Sequence, residues 1–93
     1  MRRLPETLKK YKQTPEFNEI SVPKGLLQDH STKNGVWGKI VLLEGEMEYF
    51  ISGDEKSPHS LNPSKYGVVE PERTHYIKPK GKVRFYVEFY REE

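Results

Sequence analysis

From Lys82 to Tyr90 apolar and polar residues alternate: Val83, Phe85, Val87 and Phe89 interleave with Lys82, Arg84, Tyr86, Glu88 and Tyr90. An extended chain sends every second side chain to the same side, so this segment predicts a strand with one core face. Ile40 and Leu42, then Met47, Tyr49 and Ile51, repeat the period. Turn signals separate these runs: Pro23-Lys24-Gly25, Asn34-Gly35, Glu44-Gly45, Ser52-Gly53-Asp54, Pro71 and Pro79-Lys80-Gly81. Short β-rich runs punctuated in this way predict an all-β, antiparallel sandwich or barrel. The one helical candidate, Glu6 to Lys12, is too short and too charged to stand as more than a turn or two.

Register follows if the turns close hairpins. Pro79–Gly81 then places Ile77 opposite Val83 and His75 opposite Phe85, on the apolar face. An Asn34-Gly35 turn pairs Lys33 with Val36, Thr32 with Trp37 and His30 with Lys39, so His30, Thr32, Trp37 and Lys39 share a face. A turn at Glu44-Gly45 adds Glu48 and Phe50 to that face and gathers Leu27, Ile40, Leu42, Met47, Tyr49 and Ile51 on the other. The mixed side either faces solvent or lines a polar cavity. Gly38 marks a candidate bulge, which would exchange the two faces on one side of it. Residues 52–64 read as a polar surface loop with His59 solvated.

Ninety-three residues make one domain, 1–93, with a modest core, and 33% hydrophobic residues including six Tyr, four Phe and one Trp are enough to build it. A net charge of +2 is no footprint for nucleic acid, and the basic start, residues 1–13, reads as a partly ordered, solvated arm. The absence of cysteine excludes disulfides, thiolate chemistry and zinc ribbons and agrees with a cytoplasmic location. No run of apolar residues reaches the length of a membrane span, and the first residues lack the apolar centre of a secretion signal, so no membrane partner is expected.

TPEF at 14–17, VPKGLLQDHSTKNGVWGKIVLLEGEMEYFI at 22–51, EPERTHYIKP at 70–79 and VRFYVEFY at 83–90 resemble, in order and with short gaps, one small cupin-like family. It is named after the amino-terminal domain of tellurite-resistance protein B and the YeaR-like proteins. The resemblance implies a double-stranded β-helix, the small jelly-roll barrel of cupins, with two short motifs facing its lumen. In the first motif His30 matches the leading histidine, Thr32 replaces the second histidine, Trp37 replaces the glutamate, and Gly45 closes the motif about one residue late. In the second, Pro71 and His75 match at shortened spacing. Two of the four ligand positions are therefore lost, and Glu72 beside the second motif is the candidate third ligand with His30 and His75.

Three functions follow as expectations. The first is a binding module whose barrel mouth, lined by His30, Thr32, Trp37, Lys39, His75 and Glu72, holds a small polar ligand or an oxyanion in a stress response. The second is a metal-dependent enzyme with zinc, iron, nickel or manganese on His30, His75 and Glu72. The third is a structural accessory domain, since in some relatives such a domain precedes a methyltransferase; this chain has no glycine-rich nucleotide motif of its own. No catalytic residues are assigned, because no nucleophile-elbow signature accompanies the serines and histidines. Tyr76, Tyr86 and Tyr90 with Arg84, taken as the outer face of a last hairpin, have the composition of an interface and predict a homodimer.

Overall fold

The alternating carboxyl-terminal run forms the longest pairing surface of the fold. It becomes β8, Arg84–Arg91, in a computed structural model that describes residues 1–92. The other strands are β1 (Lys9–Gln13), β2 (Phe17–Asn18), β3 (Trp37–Glu44), β4 (Met47–Ile51), β5 (His59–Leu61), β6 (Gly67–Val69) and β7 (His75–Pro79), with a short 3-10 helix at Lys24–Leu27. All pairings are antiparallel. One sheet has five strands in the order β1-β8-β3-β6, with β2 also on β8; the other has three in the order β5-β4-β7. β3 follows β8 from Arg84 to Tyr90, so β1 and β2 share the opposite edge of β8.

The core lies between the sheets. Ile40 and Leu42 of β3 and Phe85 and Val87 of β8 meet Met47, Tyr49 and Ile51 of β4, Leu61 of β5 and Ile77 of β7 in one cluster. Burying a side chain of this size contributes about 1.5–3 kcal/mol, which makes the inner faces the main source of stability. Tyr49 also carries a polar tie: its hydroxyl donates to the Val68 carbonyl at 2.9 Å and so links the three-stranded sheet to β6 of the other. The two sheets pack together without closing into a continuous barrel.

Two of the three turns read as hairpins are corners between sheets. β3 pairs with β8 and β6, while β4 pairs with β5 and β7; the chain changes sheet at Glu44–Gly45 and again at Lys80–Val83. His75 therefore lies opposite Ile51, and Phe85 opposite Leu42, instead of opposite each other. The corners interlock. Gly45 has φ +85°, and a Cβ there would stand 2.1 Å from the Lys82 carbonyl oxygen, so only glycine fits.

Other expectations also change. Residues 9–13 form an edge strand in place of a helix, held by backbone pairing and by Lys10 on Glu88 at 2.9 Å. Gly38 sits in regular register opposite Phe89 and Val69, and the irregularity in β3 falls at Leu42–Glu44, so the faces are not exchanged there. Ile40, Leu42, Met47, Tyr49 and Ile51 share the core as expected, but Leu27 is exposed in the 3-10 helix. Tyr76 stacks on Phe50 in the three-stranded sheet, with ring centroids 4.5 Å apart, whereas Tyr86 and Tyr90 belong to the five-stranded one. The tyrosines do not form one patch.

Candidate functional site

His30 lies outside the named strands and does not pair with β3. The Asn34-Gly35 turn does form, with the Val36 N–H on the Lys33 carbonyl at 3.0 Å, but the segment before it leaves β3 and pairs with β7. The His30 N–H donates to the His75 carbonyl at 3.0 Å and the His75 N–H returns to the His30 carbonyl at 2.8 Å. This reciprocal pair sets the two imidazoles side by side, with centroids 4.0 Å apart and planes at 58°. Tyr49 presents an edge to His75 at 5.7 Å.

Each ring is oriented by a carbonyl two residues earlier: His30 Nδ1 is 2.9 Å from the Gln28 oxygen and His75 Nδ1 is 2.8 Å from the Arg73 oxygen. A carbonyl only accepts, so a proton is assigned to Nδ1 in both rings, and in that neutral tautomer Nε2 is the acceptor edge. Among the described residues no hydrogen bond reaches either Nε2, and no fully buried side-chain polar atom lacks a partner. His75 is 4% exposed and lines a half-open cavity, toward which its Nε2 is free to point. Burial holds His75 below the ordinary histidine range; the Arg73 carbonyl opposes that shift and His30 adds to it.

The cavity measures about 530 Å³. Ile40, Val69, Ile77, Val87 and Phe89 make an apolar floor, and Val36 and Leu26 add to the wall. His30, Thr32 and His75 face it from one side, while Tyr11, Lys12 and Lys33, all exposed, bring it to the surface. Thr32 spends its hydroxyl proton on the chain, donating to the Val36 carbonyl at 2.8 Å, and Thr14 donates to the Pro15 carbonyl at 2.9 Å. The imidazoles, the lysines and the exposed Ser31 hydroxyl are thus the groups left for a ligand. Among the described residues no Asp or Glu lines the cavity.

Of the residues expected in the pocket, His30, Thr32 and His75 meet there, and Trp37, Lys39 and Glu72 do not line it. Gly38 and Ile40 take the inner face of β3, which turns Trp37 and Lys39 outward. Trp37 lies under the Arg2 guanidinium at 5.7 Å, and the Lys39 ammonium sits 4.4 Å from the Tyr66 ring centroid. Glu72 is exposed in a turn at φ +60°, and its backbone N–H, not its carboxylate, reaches back to the Thr32 carbonyl at 3.1 Å. Among the described residues no three His, Asp or Glu side chains converge on a point suitable for a metal ion. The imidazole pair supplies two donors where a stable divalent site needs at least three, so the donor set does not fit the metal centre implied by the resemblance.

His59 was not legible as a paired residue. Its side chain is 10% exposed and its Nε2 lies 2.7 Å from Asp54 Oδ2, a bond that holds the Asp54 carboxyl below the usual range. Its surroundings read as loop because 52–58 are polar and turn-rich, and the pairing with Tyr49 in β4 across the sheet carries no local signature.

The fold of two small sheets is shared with known proteins. By sequence, the TehB-like domain matches residues 12–87. The chain belongs to the TehB-like domain family. It is 31% identical over 72 residues to the probable S-adenosyl-L-methionine-dependent methyltransferase TehB of Haemophilus influenzae, covering 73% of this chain and 25% of that protein. TehB from a second strain of the same organism matches at the same identity and coverage. The chain thus spans about a quarter of the length of the curated relatives it matches. The crystal structure of TehB from H. influenzae superposes with a TM-score of 0.83 and 28% identity, over 94% of this chain and 32% of that one. A crystal structure of a protein from E. coli (strain K12) covers 100% of this chain and 99% of its own with a TM-score of 0.86; at 22% identity it speaks to the fold alone. Among the described residues of this TehB-like domain no helix is long and apolar enough to cross a membrane.

Proposed function

We propose that this TehB-like domain is a small-molecule-binding module whose ligand enters between Lys12 and Lys33 and rests against the His30–His75 pair. One observation carries the reading: a cavity of about 530 Å³ in so small a chain, with an apolar floor and two oriented imidazoles whose Nε2 edges are not used by the fold. Ligand sites are commonly of this size, with apolar walls and a few polar groups that fix orientation. The cupin-like and YeaR-like assignments belong to the same proposal, and two antiparallel sheets joined by corners support them. So does a cytoplasmic setting, in keeping with a chain without cysteine.

A thermal-shift survey of small metabolites tests the reading, comparing the native chain with Val36→Trp, which fills the cavity wall. A ligand at about 100 times its Kd adds roughly 2.7 kcal/mol of stability. A compound that raises the melting temperature of the native chain but not of Val36→Trp supports the module; compounds that stabilise both equally, or none that stabilise at all, remove it.

A second reading, an accessory domain serving a methyltransferase, is favoured by the quarter of TehB that this fold accounts for. It predicts that this chain, mixed with the remainder of TehB, co-sediments with it; independent sedimentation of the two refutes it.

A further inference from the structure

We infer that the ligand is an amphipathic organic anion, with an apolar body inside and a carboxylate or sulfonate at the mouth, a refinement that rests on the binding reading above. The interior explains the body. Ile40, Val69, Ile77, Val87 and Phe89 offer it apolar contact, and burying apolar surface there is favourable at about 25 cal/mol per Å². A small inorganic oxyanion fits poorly, because it would have to shed its hydration among these side chains, while burial disfavours a charged His75 and the Thr14 and Thr32 hydroxyls already donate to backbone carbonyls.

The mouth explains the charge. Lys12 of β1 pairs with Phe89 of β8, its ammonium 5.9 Å from that ring's centroid, and Lys33 approaches from the turn before β3. Both are exposed, so a ligand anion held between them stays partly hydrated, and no carboxylate among the lining residues competes for the lysines. A cation would meet two like charges with no counter-charge at the lining. A neutral ligand would leave the lysines without a role. The unprotonated Nε2 edges then select further, by accepting one hydroxyl or amide proton carried on the ligand's body.

The test uses two fluorescent probes of similar shape: 1-anilinonaphthalene-8-sulfonate, an anion, and N-phenyl-1-naphthylamine, which is neutral. The proposal expects both to shift the ring signals of His30 and His75 in the NMR spectrum of the unmutated chain. Lys12→Gln with Lys33→Gln should weaken the sulfonate about fivefold, the effect of two partly screened charges, and the neutral probe less than twofold. Added salt should mimic the double substitution for the sulfonate alone. If both probes shift the histidine signals but the lysine variant weakens them equally or not at all, the anion assignment falls and the pocket stands. If neither probe moves those signals, the binding reading itself fails, and this inference with it.

Discussion

Replacing Tyr49 by phenylalanine isolates the polar link between the sheets. The ring stays in the core, where Tyr49 is 1% exposed, and only the hydroxyl that donates to the Val68 carbonyl at 2.9 Å is lost. That carbonyl then has no donor from the facing sheet. An unsatisfied buried acceptor costs about 1–3 kcal/mol, and a neutral hydroxyl-to-carbonyl bond belongs in the lower half of that range, at about 1.5 kcal/mol. In a domain of this length each kcal/mol lowers the melting temperature by about 4–8 °C, so the variant should melt roughly 6–12 °C lower. Alkaline pH supplies an independent readout. Burial raises the Tyr49 phenol above its ordinary 10.0, so above pH 10 the unfolded chain releases a proton that the folded chain retains, and stability falls with rising pH. Each such group contributes a slope of about 1.4 kcal/mol per pH unit. Tyr90, pushed up to about 12 by partial burial and its bond to Glu88, adds a second contribution between pH 10 and 12, so Tyr49→Phe should remove one of the two. Urea titrations across pH 7 to 11 measure both effects. A variant within about 0.5 kcal/mol of the native chain at neutral pH, with an unchanged alkaline slope, would refute the argument that this hydroxyl ties the sheets.

Acid should act through His75: its folded pKa lies below the ordinary 6.5, so the unfolded state binds the proton more readily, and stability falls as pH drops below about 6.5 and levels off beneath the folded value. His75→Gln should flatten that segment of the stability curve, and an unchanged curve would place the titrating group elsewhere. Gly45→Ala should cost more than ~3 kcal/mol, because the added Cβ must displace the Lys82 carbonyl; soluble expression with a near-native urea midpoint would contradict the interlocked corners. The homodimer expected from the tyrosines is proposed in altered form, through the outer face of the five-stranded sheet, where Trp37 lies opposite Tyr90 and Val41 opposite Tyr86. Sedimentation of the chain at micromolar concentration should give twice the monomer mass, and a single-chain mass would dismiss it.

How much of this was legible depended on the kind of signal. β8 and β4 were plain because their inner residues, Phe85, Val87, Met47, Tyr49 and Ile51, recur at every second position, with the more exposed Arg84, Tyr86, Glu88, Glu48 and Phe50 between or beside them, and burial enforces that period. Connectivity was not, because Pro79-Lys80-Gly81 reads the same whether the chain folds back on its own sheet or crosses to the other. The hairpin register therefore assigned His30 to Lys39 and His75 to Phe85, while each histidine in fact faces the other. Their convergence was anticipated through the family resemblance and not through register. β1 was hidden for another reason: Lys9 to Gln13 is exposed throughout and is held by the backbone of β8, so its side chains carry no period at all.

That charged strand has a consequence for how copies of the chain meet. β1 is the outermost strand of its sheet along Lys9, Lys10 and Lys12, and its pairing with β8 is offset between Lys10 and Lys12. A second chain trying to extend the ladder there would set lysine ammoniums against its own and would find an uneven row of amides. Runaway stacking of strands into fibres is discouraged at that border, and crowded solutions of the protein are steered toward broad contact between faces.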